Sequence, residues 1–141
     1  MIVTCPSCTR KNRIPAEALG GEVRCGACKT ELPPPSAPID ADPELFDEIT
    51  SGAKLPVLVD FWAAWCGPCK RAAPEVAKAA AEMAGRALVL KVDTEAHPQI
   101  AARFGVQAIP TFVVLSGGRV VGQQAGLVPS AQLLEWLRRA A

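Results

Sequence analysis

Residues 57–70 read VLVDFWAAWCGPCK. The run from Val57 to Trp62 is apolar and of strand type, the turn after it carries Cys66 and Cys69 in C-x-x-C spacing, and an Ala-rich helical pattern follows. A strand that leads into a helix through a short turn places that turn at the carboxyl edge of a sheet, where α/β proteins form their sites. The stretch therefore predicts an α/β fold with a site at these two cysteines.

The chemistry of that site follows from the expected position of Cys66 beside the N-terminus of the helix. The helix dipole and the free N–H groups there favour a thiolate over a thiol. A thiolate attacks a disulfide, and Cys69, one turn further along, is placed to resolve the mixed disulfide. The spacing predicts dithiol–disulfide exchange.

The composition limits the other function classes. The chain has 141 residues and a net charge of +1, from 15 basic and 14 acidic residues. This length allows one ordinary domain and a small module, and the charge balance gives no indication of nucleic acid or a membrane surface as a partner. There is no apolar run of transmembrane length, and the first residues show no secretory signal pattern, so we expect a cytoplasmic protein.

Four of the six cysteines form a separate pattern at the start of the chain. Cys5 and Cys8 are followed, after sixteen residues, by Cys25 and Cys28. This spacing is typical of four-cysteine zinc sites, and four thiolates close a tetrahedral structural site. We expect residues 1–32 to form a small zinc ribbon with short strands, whose folding energy comes from the metal because so short and polar a segment cannot bury a core.

Other interpretations of these cysteines stay open. One alternative is that the four cysteines are unrelated thiols. Another is that Cys5/Cys8 or Cys25/Cys28 is a redox pair of its own, since zinc thiolates also oxidise. Neither pair follows an apolar strand or opens a clear helix, however, so neither has the helix N-terminus that would activate it. Between the pairs, Ile14, Leu19 and Val23 are candidates to cover the site, with a turn at Gly20-Gly21.

A Pro-rich segment separates this module from the rest. Residues 33–38 contain four prolines, which favour an extended, semi-rigid linker. In the second domain, residues 39–141, the pattern predicts a mixed sheet flanked by helices. The expected helices are 42–50, 66–83 with a kink at Pro74, 97–105 and 129–139, and the expected strands are 56–62, 87–93, 111–115 and 119–125.

Residues 62–70, W-x-x-W-C-G-P-C-K, resemble the active-site stretch of thioredoxins. The resemblance covers about residues 39–141 and implies the thioredoxin fold. With a zinc ribbon in front, the chain is most similar to the zinc-binding bacterial thioredoxins of the thioredoxin 2 type.

The resemblance implies roles for the catalytic residues. Cys66 is then the exposed nucleophile with the lowered pKa, Cys69 resolves, and Gly67 and Pro68 set the turn and go with a reducing potential. Asp60 lies in an otherwise apolar strand, where desolvation raises its pKa, and the family uses an aspartate there as proton acceptor for the resolving cysteine. From the residues alone, a strand-end aspartate that bonds to the backbone is as good an interpretation.

The resemblance also implies a substrate groove. Trp65 flanks it, and Trp62 packs below it. Ile109-Pro110 matches the cis-proline loop, whose backbone pairs with an extended substrate chain, and Gly126 leaves room for that chain. The alternatives are a trans surface turn at Pro110 and an ordinary turn at Gly126.

The sequence departs from the family at one position. The family places a lysine four residues before the aspartate that ends the neighbouring strand, where this chain has Val89. Lys91 lies two residues later on the same face, so it stays open whether Asp60 has a cationic neighbour. His97, the only histidine, precedes Pro98 and is expected to cap a helix.

These observations predict a protein-disulfide reductase that acts as a monomer. Its implied partners are disulfide-bearing proteins and an NADPH-dependent thioredoxin reductase. A structural zinc ion is its implied cofactor, and no organic cofactor is expected. The rival from another class is a client-binding or zinc-dependent redox-sensing module. A disulfide-forming oxidant is disfavoured by the Gly-Pro dipeptide and by the missing secretory signal.

Overall fold

Two short β-hairpins form the N-terminal part of the chain in a computed structural model that describes residues 1–141. They are antiparallel pairs, joined through a 3-10 turn at Ala16–Ala18: β1 (Ile2–Thr4) with β2 (Lys11–Arg13), and β3 (Val23–Arg24) with β4 (Glu31–Leu32).

The loop of each hairpin is a C-x-x-C knuckle with the same backbone bonds. The N–H of Cys5 donates to the carbonyl of Arg10 at 2.8 Å, and the N–H of Cys25 donates to the carbonyl of Thr30 at 2.9 Å. Equivalent backbone hydrogen bonds therefore hold the two N-terminal cysteine pairs.

The rest of the chain builds a five-stranded mixed sheet in the order β5-β7-β6-β8-β9. Strands β5, β7 and β6 are parallel, and β8 and β9 are antiparallel additions. The strands are β5 (Ile39–Asp40), β6 (Val57–Trp62), β7 (Leu88–Asp93), β8 (Thr111–Ser116) and β9 (Arg119–Ala125), and the helices are α1 (Pro43–Gly52), α2 (Gly67–Glu82), α3 (Pro98–Arg103) and α4 (Ser130–Ala140). This is the predicted mixed sheet flanked by helices, with one strand, β5, that was not predicted.

Strand β6 is central because both of its faces are covered. Val57, Val59 and Phe61 belong to the apolar core that contains residues of α1 and α3, whereas Leu58 packs in the second core with α2 and α4. Burial on both faces explains the unbroken apolar run and fixes β6 so that its carboxyl end delivers residues 63–66 to the sheet edge.

The N-terminal hairpins pack onto α1. Ile14, Ala16 and Leu19 lie in the same apolar core as Phe46 and Ile49 of α1. The apolar residues of the N-terminal module are thus buried against the neighbouring domain. A segment of this size is too small to bury them in a core of its own.

The contact between module and domain leaves little room at Gly20. This glycine has φ +90°, and an added Cβ would lie 2.5 Å from the Leu55 side chain. Next to it, a Cβ at Gly85 would lie 3.6 Å from Pro34, so the Pro-rich segment also lies against the domain.

Helix α2 continues through Pro74 to Glu82. None of the helices combines the length and apolar character that a membrane span requires.

Candidate functional site

The central pair, Cys66 and Cys69, forms a disulfide at the start of α2. Cys66 is the N-cap residue, and its sulfur accepts the N–H of Cys69 at 3.1 Å. Pro68 occupies the first turn, where its missing N–H costs no helical hydrogen bond. The strand, turn and helix predicted for this stretch are present.

The exposure of Cys66 differs from the expectation. The residue is only 3% exposed, and Cys69 is 6% exposed. Trp62, Ala63 and Ile109 pack against the pair, and the Cys66 sulfur lies 3.7 Å from the carbonyl oxygen of Ile109. In the disulfide form the sulfur is directed toward Cys69 and under this loop, so Cys66 is not the exposed member of the pair.

The loop over the disulfide contains the predicted cis-proline. The Ile109–Pro110 peptide bond is cis. The carbonyl of Pro110 accepts the N–H of Gly126 at 2.8 Å, which joins this loop to the end of β9. Gly126 has φ +101° and open space where a side chain would start, so the surface beside Pro110 is unobstructed.

Trp65 forms another part of the site surface. It is 69% exposed, and its Nε1 donates to the Glu95 carboxylate at 2.8 Å. Glu95 was not identified from the sequence. The only available signal was its position in the loop after β7, which reaches the same sheet edge as Cys66.

Asp60 is the buried carboxylate of the site. It is 2% exposed, and its Oδ1 has no hydrogen-bond partner. Burial raises the pKa of Asp60 to about 6, and the charge of Lys91 opposes that rise. Since Lys91 is the residue paired with Asp60 across β6 and β7, it supplies the cationic neighbour that Val89 does not.

A surface cavity of about 420 Å³ lies beside Cys69. Trp62, Cys69 and Lys91 are among its lining residues. The Lys91 ammonium lies 4.6 Å from the centre of the Trp62 ring, which holds the cation at this wall. Cys69 and Lys91, the residue paired with Asp60, therefore line the same cavity.

His97 does not act as a capping side chain. It occupies the N-cap position of α3 but makes no side-chain cap hydrogen bond. Asp93 takes up the nearby free N–H groups instead, accepting from Glu95 at 2.9 Å and from Ala96 at 3.3 Å.

The other four cysteines converge at the tips of the two hairpins. Their sulfurs all lie within 4.8 Å of one another, with 3.7 Å between those of Cys5 and Cys28 and 3.6 Å between those of Cys8 and Cys25. Four sulfurs at the usual Zn–S distance of about 2.3 Å form a tetrahedron with edges of about 3.8 Å. The donor set and its spacing therefore fit a tetrahedral zinc ion.

Backbone N–H groups favour the thiolate form of Cys25. Those of Cys28 and Ala27 lower the pKa of the Cys25 thiol to about 6. A thiolate is the form that binds a metal.

Comparison with known proteins gives a consistent result. The family model described as Thioredoxin matches residues 37–139. The chain is 40% identical over 137 residues to "Thioredoxin C-3" of Corynebacterium nephridii, an alignment that covers 97% of this chain and 93% of the relative. It is 38% identical to the thioredoxin of Haemophilus influenzae over 100 residues, 71% of this chain and 91% of the relative.

Solved structures agree with the sequence relatives. A mutant thioredoxin from Halobacterium salinarum superposes with a TM-score of 0.70 at 31% identity, covering 75% of this chain and 92% of its own. The alignment with the C-3 relative spans 97% of this chain and so includes the segment with the N-terminal cysteine pairs, whereas the alignment with the Haemophilus influenzae relative spans 71%.

Proposed function

The chain belongs to the thioredoxin family and is a thiol–disulfide oxidoreductase; from that premise we propose that Cys66 and Cys69 reduce protein disulfides while residues 1–32 hold a structural zinc ion. One observation carries the proposal: a disulfide-forming pair opens a helix directly beneath a cis-proline loop.

In the proposed reaction, the Cys66 thiolate attacks one sulfur of a substrate disulfide. A mixed disulfide forms, and the first substrate thiolate leaves. Cys69 then attacks the Cys66 sulfur, which releases the second substrate thiolate and leaves the Cys66–Cys69 disulfide. Two electrons pass from the chain to the substrate. An NADPH-dependent thioredoxin reductase returns them, as in thioredoxins generally.

The helix N-terminus supports the first step. The N–H of Cys69 already points at the Cys66 sulfur, and this bond stabilises negative charge on it once the disulfide is open. Gly67 and Pro68 shape the turn that brings both sulfurs together.

Asp60 supports the second step. A carboxylate with a pKa of about 6 accepts a proton near neutral pH and releases it again. We assign it the proton of Cys69, carried by water in the cavity that Cys69 and Lys91 line.

Substrate binding is assigned to the surface around the cis-proline. An extended substrate chain pairs with the backbone at Ile109, beside Pro110, and passes over Gly126, where no side chain obstructs it. Trp65, held by Glu95, forms the opposite wall.

The zinc proposal makes the chain a thioredoxin of the zinc-binding thioredoxin 2 type. Cys5, Cys8, Cys25 and Cys28 hold the ion, which cross-links two hairpins that share no strand pairing. We accordingly divide the chain into a zinc ribbon (1–32), a Pro-rich linker (33–38) and a thioredoxin domain (39–141). Free thiols and zinc thiolates persist in a reducing compartment, so we place the protein in the cytoplasm. Since one chain supplies every site residue, a monomer suffices.

The reductase proposal is tested by trapping the mixed disulfide. The reduced Cys69→Ser variant is expected to form a stable covalent adduct with a disulfide-bonded peptide, detected by mass spectrometry. The matched Cys66→Ser variant, whose remaining site thiol is the resolving one, should form far less. Adducts of equal yield from both variants would contradict the assignment of Cys66 as nucleophile.

The alternative is a client-binding or redox-sensing module. A pure binding module keeps its client affinity in Cys66→Ser and shows no turnover of insulin disulfides with NADPH and a thioredoxin reductase. Turnover by the wild-type chain would exclude it.

A further inference from the structure

The two knuckles of the ribbon are related by a shift of twenty residues along the chain. Cys5 corresponds to Cys25 and Cys8 to Cys28. The residues after the second cysteines, Thr9 and Lys29, are both left-handed, with φ of 67° and 65°. The two halves of the sulfur cluster, one from each knuckle, are therefore nearly equivalent in these respects.

The halves differ seven residues after the first cysteine of each. The first half has Asn12 at this position, and the second has Leu32. Leu32 is 4% exposed and belongs to the core shared with α1. Asn12 is half-buried, and its side chain reaches across to the second knuckle.

The Asn12 amide makes three contacts, two of which reach the second knuckle. Its oxygen accepts the N–H of Gly26 at 3.0 Å. Its nitrogen donates to the carbonyl of Arg10 at 3.2 Å and lies 3.5 Å from the sulfur of Cys25. A backbone N–H only donates and a carbonyl only accepts, so these two partners fix the amide orientation and direct N–H toward the sulfur.

This arrangement has two consequences for a bound metal. The bond to Gly26 holds the second knuckle against the first, so the four sulfurs are pre-arranged. The N–H directed at the Cys25 sulfur compensates the negative charge of a thiolate ligand. Metal ligands usually have hydrogen-bond partners of this kind.

We propose that Asn12 is a positioning residue of the zinc site, which secures the Cys25 thiolate and thereby controls how fast the ion is lost. This inference rests on the proposed zinc site and adds a residue that contacts a ligand rather than the metal.

The test compares zinc release from four full-length chains: wild type, Asn12→Asp, Asn12→Leu and Lys11→Gln. Lys11 is an exposed residue of the same strand, so its variant is the matched control. Zinc content is measured first. Release into excess 4-(2-pyridylazo)resorcinol is then followed by absorbance, and the cobalt-loaded chains are compared by their sulfur-to-cobalt charge-transfer bands.

The Asn12→Asp variant decides between positioning and packing. Aspartate keeps the shape and the oxygen that accepts from Gly26, but it turns an anionic oxygen toward the sulfur. We expect release about 10–100-fold faster than in wild type, with a shifted cobalt band. The release rate of Asn12→Leu should lie between those of wild type and Asn12→Asp, and that of Lys11→Gln should match wild type.

Failures of the two proposals are distinguishable. If wild type binds one zinc ion and Asn12→Asp releases it at the wild-type rate, the role of Asn12 is refuted and the zinc site stands. If the wild-type chain, purified from zinc-supplemented medium, holds no metal, both proposals are refuted.

Discussion

The chain uses the C-x-x-C spacing three times, in two different structures. At Cys66 and Cys69 the spacing opens α2, and the backbone continues as a helix. At the two N-terminal pairs the chain instead turns back into a strand, through a left-handed residue at Thr9 or Lys29. The cysteine spacing is the same, and the backbone that follows it differs.

That difference separates the two chemistries. In the helical pair the two sulfurs lie next to each other and form their own disulfide, and the Cys66 sulfur accepts the N–H of Cys69. A knuckle points both sulfurs to one side, where they meet the sulfurs of the other knuckle. The spacing of two cysteines is therefore compatible with redox chemistry or metal binding, and the conformation of the next residue distinguishes the two.

The largest expected effect comes from removing one sulfur from each region. Cys66→Ser should abolish insulin-disulfide turnover, because a serine hydroxyl does not replace the thiolate, and should keep one zinc ion per chain. Cys25→Ser should lose its zinc to a chelator and keep most of the turnover, because the ribbon sulfurs lie outside the disulfide site. Turnover and zinc content are measured on the same samples.

The essential result is that each variant loses one property, turnover or zinc binding, and keeps the other. Loss of turnover in Cys25→Ser at a temperature where circular dichroism still shows a folded chain would couple the ribbon to catalysis. The two regions would then not be chemically separate.

The next effect concerns Asp60, the buried carboxylate to which we assign the proton of Cys69. The folded-state pKa of Asp60, about 6, lies above its ordinary value of 3.8. Because the ionised form is disfavoured in the fold, stability from this group is greatest below about pH 4, falls as pH rises through 6, and stays low above. The difference corresponds to about 3 kcal/mol.

Asp60→Asn should remove this pH dependence. Urea unfolding at pH 4 and pH 7.5 is expected to show the variant gaining about 2.5 kcal/mol on wild type between the two values, while its turnover at pH 7.5 slows for lack of the proposed proton acceptor. Zinc loss at low pH affects both chains equally and cancels. A difference between the two chains that does not change with pH would contradict the burial of an ionisable Asp60.

The sequence predicted the elements with strong local signals. The apolar run of β6, the Asp42-Pro43 start of α1 and the C-G-P-C turn are each determined by neighbouring residues, and the structure has them. Strand β5 was missed because two residues carry no periodicity, and Ile39 joins the sheet by pairing with Leu90 of a distant strand.

What the sequence did not predict depends on contacts between distant residues. The packing of Ile14 and Leu19 on α1 arises from two segments of different domains, and each pattern alone is too short to indicate it. The same is true of the bond from Trp65 to Glu95 and of the pairing of Asp60 with Lys91. The burial of Cys66 depends on the loop at Ile109, forty-three residues away.

The smallest expected effect tests the comparison most directly, through one substitution at equivalent positions. Thr9 and Lys70 each follow the second cysteine of a pair, but Thr9 is left-handed and Lys70 is helical. Glycine accepts a left-handed backbone at no steric cost and weakens a helix, and each preference amounts to about 1 kcal/mol relative to alanine. The difference between glycine and alanine should therefore have opposite signs at the two positions.

Alanine variants are the controls because they remove the rest of the side chain but keep the Cβ atom, and with it the backbone preferences that glycine lacks. Thr9→Gly should bind zinc about fivefold more tightly than Thr9→Ala in competition with a chelator, since about 1.4 kcal/mol is a factor of ten. Lys70→Gly should unfold in urea with about 1 kcal/mol less free energy than Lys70→Ala. If glycine were worse than alanine at both positions, the left-handed residue would not be what makes a cysteine pair a metal knuckle, and the cause would have to lie in the facing pair instead.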